Sequence, residues 1–152
     1  MNTYTLEKFH IIGIAVRTTN ENGQSTQDIP TLWQTFFAEN ISDQIPNKID
    51  TTLYCMYTDY EKDHTKPYTT ILGCRVNDLS KIPENMIGKT IEQATYTKYL
   101  AKGNLTEGAV FKEWTKIWNT DLPRNFTADF EIYDEKAQNP ENAEVDIFIA
   151  IR

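Results

Sequence analysis

The chain has 152 residues, 39% hydrophobic and 24% charged, a length and balance that suit one globular domain with a real core and exclude a disordered polymer. Its formal net charge of −7 argues against nucleic acid, which demands a basic surface to displace counterions, and mildly favours positively charged small partners. No apolar run approaches the roughly 20 residues that span a bilayer, and residues 1–7 lack a basic region followed by an apolar one, so a cytoplasmic protein is expected.

Residues 8–19 form an apolar run rich in β-branched side chains, too short for a helix, and the first strand is expected there. After a polar loop over 20–27, Ile29, Leu32, Trp33, Phe36 and Phe37 recur at helical spacing, with Asp28 as the cap and Pro30 in the first turn. Residues 51–59 and 67–77 read as two strands of a hairpin across a charged turn. Gly73, inside the second of them, marks a bulge or a close backbone approach. Residues 78–88 read as a connection and 90–100 as a fourth strand. Thr106 is then expected to cap a helix whose Val110, Phe111, Trp114, Ile117 and Trp118 line one face, and Pro123 stops it. Residues 126–134 and the alternating 143–151 are the last two strands.

The order is strand, helix, strand, strand, stated twice. Ile29, Trp33, Phe36 and Phe37 match Val110, Trp114, Ile117 and Trp118 at one constant offset, and after a shorter loop Cys55 matches Glu131 and Tyr57 matches Tyr133. The expected fold is α+β: duplicated units related by a pseudo-two-fold axis, with one antiparallel sheet and two helices packed on one side of it. One domain over 1–152 is expected, with halves about 1–80 and 88–152.

Side chains alternate across a strand, so Glu131 and Tyr133 share one face while Phe130 and Ile132 share the other. The symmetry places Cys55, Tyr57, Glu131 and Tyr133 at the junction of the halves, and only one half carries an acid there. Alternation by itself, however, reads Glu131 as a solvated residue on the sheet's outer face, since an unpaired glutamate is rarely buried. Tyr57, Tyr68 and Tyr96 are candidates for a pocket wall, since a buried phenol needs a partner for its hydroxyl. Trp33, Trp114 and Trp118 fit core packing by their helical spacing, with Trp114 and Trp118 also placed at the edge of a pocket. His10 reads as a satisfied structural histidine and His64 as an exposed one. Glu141, Glu144 and Asp146 read as a solvated sheet edge. Cys55 and Cys74 are expected as buried, reduced thiols, and two cysteines with two histidines make no zinc spacing, so neither metal nor cofactor is expected.

With those residues in place the chain resembles the GyrI-like small-molecule-binding domain, also called the AraC-type effector-binding domain, over nearly its whole length. The resemblance rests on Tyr96 followed by Gly103, on Trp118 with Asp121, Leu122 and Pro123, and on the run Phe130, Glu131, Ile132, Tyr133. It implies an aromatic cavity that accepts lipophilic, often cationic, drug-like molecules. Glu131 holds the position of the acid that such domains aim at the ligand's charge, with Tyr133, Tyr57, Tyr68, Tyr96, Trp114, Trp118 and Phe148 about the ligand. The chain departs from the family pattern at Ala94 and Thr95, where a proline and a glycine are usual before the tyrosine. It departs again at Phe148, where a tyrosine is usual. The resemblance implies no direct nucleic-acid binding, since the DNA-binding helices often fused to such domains find no room in this sequence. Two alternatives stay open: a hydrolase of cyclopropane-bearing electrophiles that uses Glu131, and a gyrase-inhibitor-like module that binds a protein partner.

Overall fold

The computed structural model describes residues 2–152. Eight strands and three α-helices make an α+β fold: β1 Thr3–Leu6, β2 Phe9–Thr18, α1 Ser25–Ala38, α2 Ile41–Gln44, β3 Leu53–Thr58, β4 Tyr68–Val76, β5 Ile87–Ile91, β6 Ala94–Gly103, α3 Ala109–Trp118, β7 Ala128–Tyr133 and β8 Ala143–Ala150. All eight strands form one sheet in the order β1-β6-β8-β7-β3-β4-β2-β5, with every neighbouring pair antiparallel.

That order reads as two copies of one arrangement meeting at β3 and β7. Each copy has a further strand that the sequence reading did not separate. The stretch over 90–100 divides into the end of β5 and most of β6, and β1 precedes β2 in the same way. The two leading strands are exchanged. β1 of the first copy pairs with β6 of the second, and β5 of the second pairs with β2 of the first. Each half is thereby clasped by a strand of the other.

The helices pack on one face. Leu32 and Phe36 of α1, Ile41 of α2, and Trp114 and Ile117 of α3 join Ile12, Ile14, Leu72, Ile147 and Ile149 in one core cluster. The other face curls over a second cluster built on Phe9, Ile11, Met56, Tyr96 and Phe130, in which the Phe9 and Tyr96 rings meet Phe130 edge-on at 5.5 and 5.4 Å. A strand buried on both faces needs apolar residues at successive positions, which explains why β2 reads as a run and not as an alternation.

Several local expectations shift. α1 starts at Ser25, so Pro30 lies beyond its first turn, and Asp28 accepts hydrogen bonds from Thr18 Oγ1 and Gln24 Nε2 at 2.9 and 3.0 Å instead of capping. Thr106 lies in a 3-10 turn whose cap is Asn104, and Gly108, at φ 82°, precedes α3. β8 is an interior strand, not an edge: Asp146 pairs with Lys136 at 3.1 Å and the sheet continues on both sides. His10 Nδ1 lies 2.9 Å from Thr90 Oγ1, as a satisfied histidine should, whereas His64 is partly buried and stacked on Trp118 at 5.6 Å.

Gly73 marks a close approach and no bulge. It faces Gly13 across the β2–β4 ladder, and a Cβ on Gly73 would stand 2.1 Å from the Ile12 carbonyl oxygen. The obstacle is backbone, which cannot rotate away. Gly73→Ala is expected to lower stability in urea by about 3 kcal/mol, at the upper end of ordinary overpacking, and a loss under about 1 kcal/mol would contradict the reading.

Candidate functional site

The register of the central strands builds the site. Cys55 of β3 stands directly opposite Glu131 of β7, so the two positions matched by the internal repeat face each other across the junction. Alternation then sends Tyr57, Glu131 and Tyr133 toward the helices, where α1 and α3 leave a cavity of about 360 Å³. Ile29 and Trp33 of α1 form one wall. Val110, Trp114 and Trp118 of α3 form another, and Tyr60, Tyr68 and Asn20 close one end. The volume falls within the range of small-molecule sites.

Glu131 is 1% exposed, and its hydrogen bonds come from three neutral donors. Tyr57 Oη donates to Oε2 at 2.6 Å, Trp114 Nε1 donates to the same oxygen at 2.7 Å, and Tyr133 Oη donates to Oε1 at 2.6 Å. No lysine or arginine lines the cavity among the described residues. Burial pushes the Glu131 carboxyl above its ordinary value of 4.5, against the opposing pull of the donors. Burial first, and the neighbouring acid after it, hold the Tyr133 phenol well above its usual range. Burial also raises Tyr57 well above, with Cys55 and then Glu131 adding to the effect. Both phenols therefore stay protonated donors. In its ionised form the Glu131 carboxylate has only neutral dipoles around it and no basic side chain in the cavity lining among the described residues, so a bound cation stabilises that form.

The rings around it are fixed by edge contacts. Tyr57 meets Trp114 at 5.3 Å and 80°, and Trp33 meets Tyr133 at 4.8 Å and 74°. Tyr68 lines the cavity with its hydroxyl committed to Asn20 Oδ1 at 2.6 Å, and burial pushes that phenol up to about 12. The cavity is an aromatic box with a carboxylate in its floor.

The structure brings Glu131, Tyr133, Tyr57, Tyr68, Trp114 and Trp118 together around this cavity. Tyr96 and Phe148 lie elsewhere. Phe148 pairs with Phe130 in the β7–β8 ladder, their rings stacked at 5.2 Å, and Tyr96 meets Phe130 as well, so both belong to the sheet face turned away from the helices. The reason is alternation: Phe130 points opposite to Glu131, and whatever pairs with it follows. Trp33, assigned to the core from its spacing, lines the cavity instead, as do Tyr60, Ile29 and Asn20. The signal for Trp33 was present in its match to Trp114, because a repeat that places one indole at the site places its counterpart there too.

Among the described residues no helix is long and apolar enough to cross a membrane, and no three His, Cys, Asp or Glu side chains group as a metal site. The family described as integron-associated effector binding protein, Cass2, matches residues 4–151. The chain is similar to an integron cassette protein from the mobile metagenome of Vibrio cholerae, at 28% identity and a TM-score of 0.74, over 99% of this chain and 95% of that one. It is also similar to YobU of Bacillus subtilis (strain 168), named for a transcriptional-regulator role, at 27% identity over 92% of this chain and 90% of that protein. The fold recurs at 15% identity and a TM-score of 0.81 in SAV2435, solved with tetraphenylphosphonium bound, over 99% of this chain and 93% of that one.

Proposed function

This chain belongs to the integron-associated effector binding proteins, and from that premise we propose that it captures lipophilic cations of drug-like size in the cavity above Glu131. One observation carries the reading: a fully buried carboxylate held only by neutral donors, inside aromatic walls with no basic side chain among the described residues. Charge complementarity comes from Glu131. Contact area comes from Trp33, Tyr57, Trp114, Trp118 and Tyr133, whose ring faces each add a cation–π attraction of about 0.5–2 kcal/mol when desolvated. The tetraphenylphosphonium carried by a protein of the same fold supports this class of ligand. The net charge of −7 adds weak long-range attraction for cations and works against nucleic acid as a direct partner.

Capture without chemistry is the simpler role for this carboxylate, because both of its oxygens already accept hydrogen bonds from Tyr57, Trp114 and Tyr133, and a water to be activated has to compete with those donors. The test is a calorimetric titration with tetraphenylphosphonium, followed by mass analysis of ligands recovered after incubation, including an electrophilic cyclopropane. Saturable one-to-one binding with a negative heat-capacity change and intact ligands is the expected result. A hydrolysed product would move the protein to the hydrolase class, and absence of binding would overturn the proposal.

A further inference from the structure

A second cavity, of about 750 Å³, lies beside the first and shares Trp33, Val110 and Tyr133 with it. The internal repeat explains its presence. The first cavity takes Trp114, Trp118 and Tyr57, and the counterparts of those residues in the other copy are Trp33, Phe37 and Tyr133, all three of which line the second. The two cavities are thus twins about the pseudo-two-fold axis that passes between Cys55 and Glu131. They differ in charge: the first has the buried acid, while the second has Asp134 and Glu135 in its lining. Glu135 is exposed, and neither acid takes part in an ion pair among the described residues. No lysine or arginine lines the second cavity among those residues.

We propose that the second cavity seats the second cationic, aromatic end of an elongated ligand whose first end occupies the cavity above Glu131. The proposal rests on the cation-capturing reading of the first site. The edge-on contact of Trp33 and Tyr133 at 4.8 Å is the partition between the seats, and a flexible linker has to cross only that rim. The second head keeps part of its hydration while it meets the carboxylates of Asp134 and Glu135, so the second seat is the weaker one. Its effect appears through linkage, because tethering places the second head near its seat at millimolar effective concentration.

The test compares two probes: a dication with two triphenylphosphonium heads joined by a six-carbon chain, and hexyltriphenylphosphonium, which has one head and the same chain. The dication is expected to bind the wild type at least about tenfold more tightly, a modest return for tethering to a weak second seat. Two surface variants remove that advantage while leaving the single-headed probe unchanged. Gln138→Trp fills the second cavity from an exposed position, and Glu135→Lys reverses charge in its lining. Equal binding of both probes, or an advantage that survives both variants, overturns the second seat while the first stands. If neither probe binds, the cation-capturing reading falls as well.

Discussion

Glu131→Gln is expected to weaken tetraphenylphosphonium binding by about 100-fold at pH 8. A ligand charge about 5 Å from the carboxylate gains about 3 kcal/mol at an effective dielectric constant near 20, and each 1.4 kcal/mol is a factor of ten. Glutamine keeps the volume of the floor, its amide oxygen can accept from Tyr57 Oη and Trp114 Nε1, and the Tyr133 hydroxyl can rotate to accept from its amide nitrogen, so the cavity survives. Triphenylphosphine oxide, neutral and of similar shape, should lose little. The variant should also be more stable than the wild type at neutral pH. Burial raises the carboxyl of Glu131, so the stability associated with its neutral form is full below the ordinary value of 4.5 and is lost as pH rises through the higher folded value. Glutamine escapes that loss. Its higher melting temperature should therefore vanish below pH 4.5.

Arg124→Met is expected to cost about 3–5 kcal/mol in stability, because it strands a buried charge. Asp129 is fully buried and accepts from Arg124 Nη2 at 2.8 Å, from Tyr60 Oη at 2.5 Å and from the Ala150 backbone N–H at 2.8 Å. The guanidinium also lies 4.3 Å from the Phe126 ring centre, and Phe126 is held at φ 55°, a backbone region costly for a bulky residue. One aspartate therefore ties β7 to β8 and fixes Tyr60 at the end of the cavity. Adding Asp129→Asn to Arg124→Met should recover part of the loss in urea unfolding, since the stranded charge is then gone. A double variant less stable than the sum of the two single losses would contradict the account.

The duplicated fold was legible because its apolar patterns are strong. α3 carries one continuous stripe, and β8 alternates without a break. The exchanged strands were not legible for the opposite reason. β1 is short, with Thr3, Tyr4 and Thr5 exposed, and β5 joins β6 in sequence through Glu92 and Gln93 without a glycine or proline to announce the turn. Both lie at sheet edges, where one neighbour suffices and sequence demands are loose. At the site, alternation and the repeat set Glu131 beside Tyr133 and opposite Cys55, but alternation alone reads it as a solvated glutamate, and the family resemblance is what turned it toward a cavity. Helical spacing alone did not single out Trp33, since an indole on an apolar helix stripe looks the same whether it meets a sheet or a void, and only its repeat match to Trp114 carried the signal. Tyr96 and Phe148 were misplaced because strand register decides which face a residue shares with Glu131, and register follows from pairing that no local pattern encodes.

The most direct test of the central claim is the pH dependence of tetraphenylphosphonium affinity for the wild type and for Glu131→Gln. A cation favours the ionised carboxylate, so wild-type affinity should fall about tenfold per pH unit once the pH drops below the raised folded value, and level off above it. His64, stacked on Trp118 at the cavity wall and held below 6.5 by burial and then by Arg124, titrates in both proteins and cancels in their difference. The account predicts a sloped wild type and a variant without that slope, the two converging at low pH. Parallel profiles, or a wild type that stays level down to pH 4.5, would show that the charge of Glu131 does not hold the ligand.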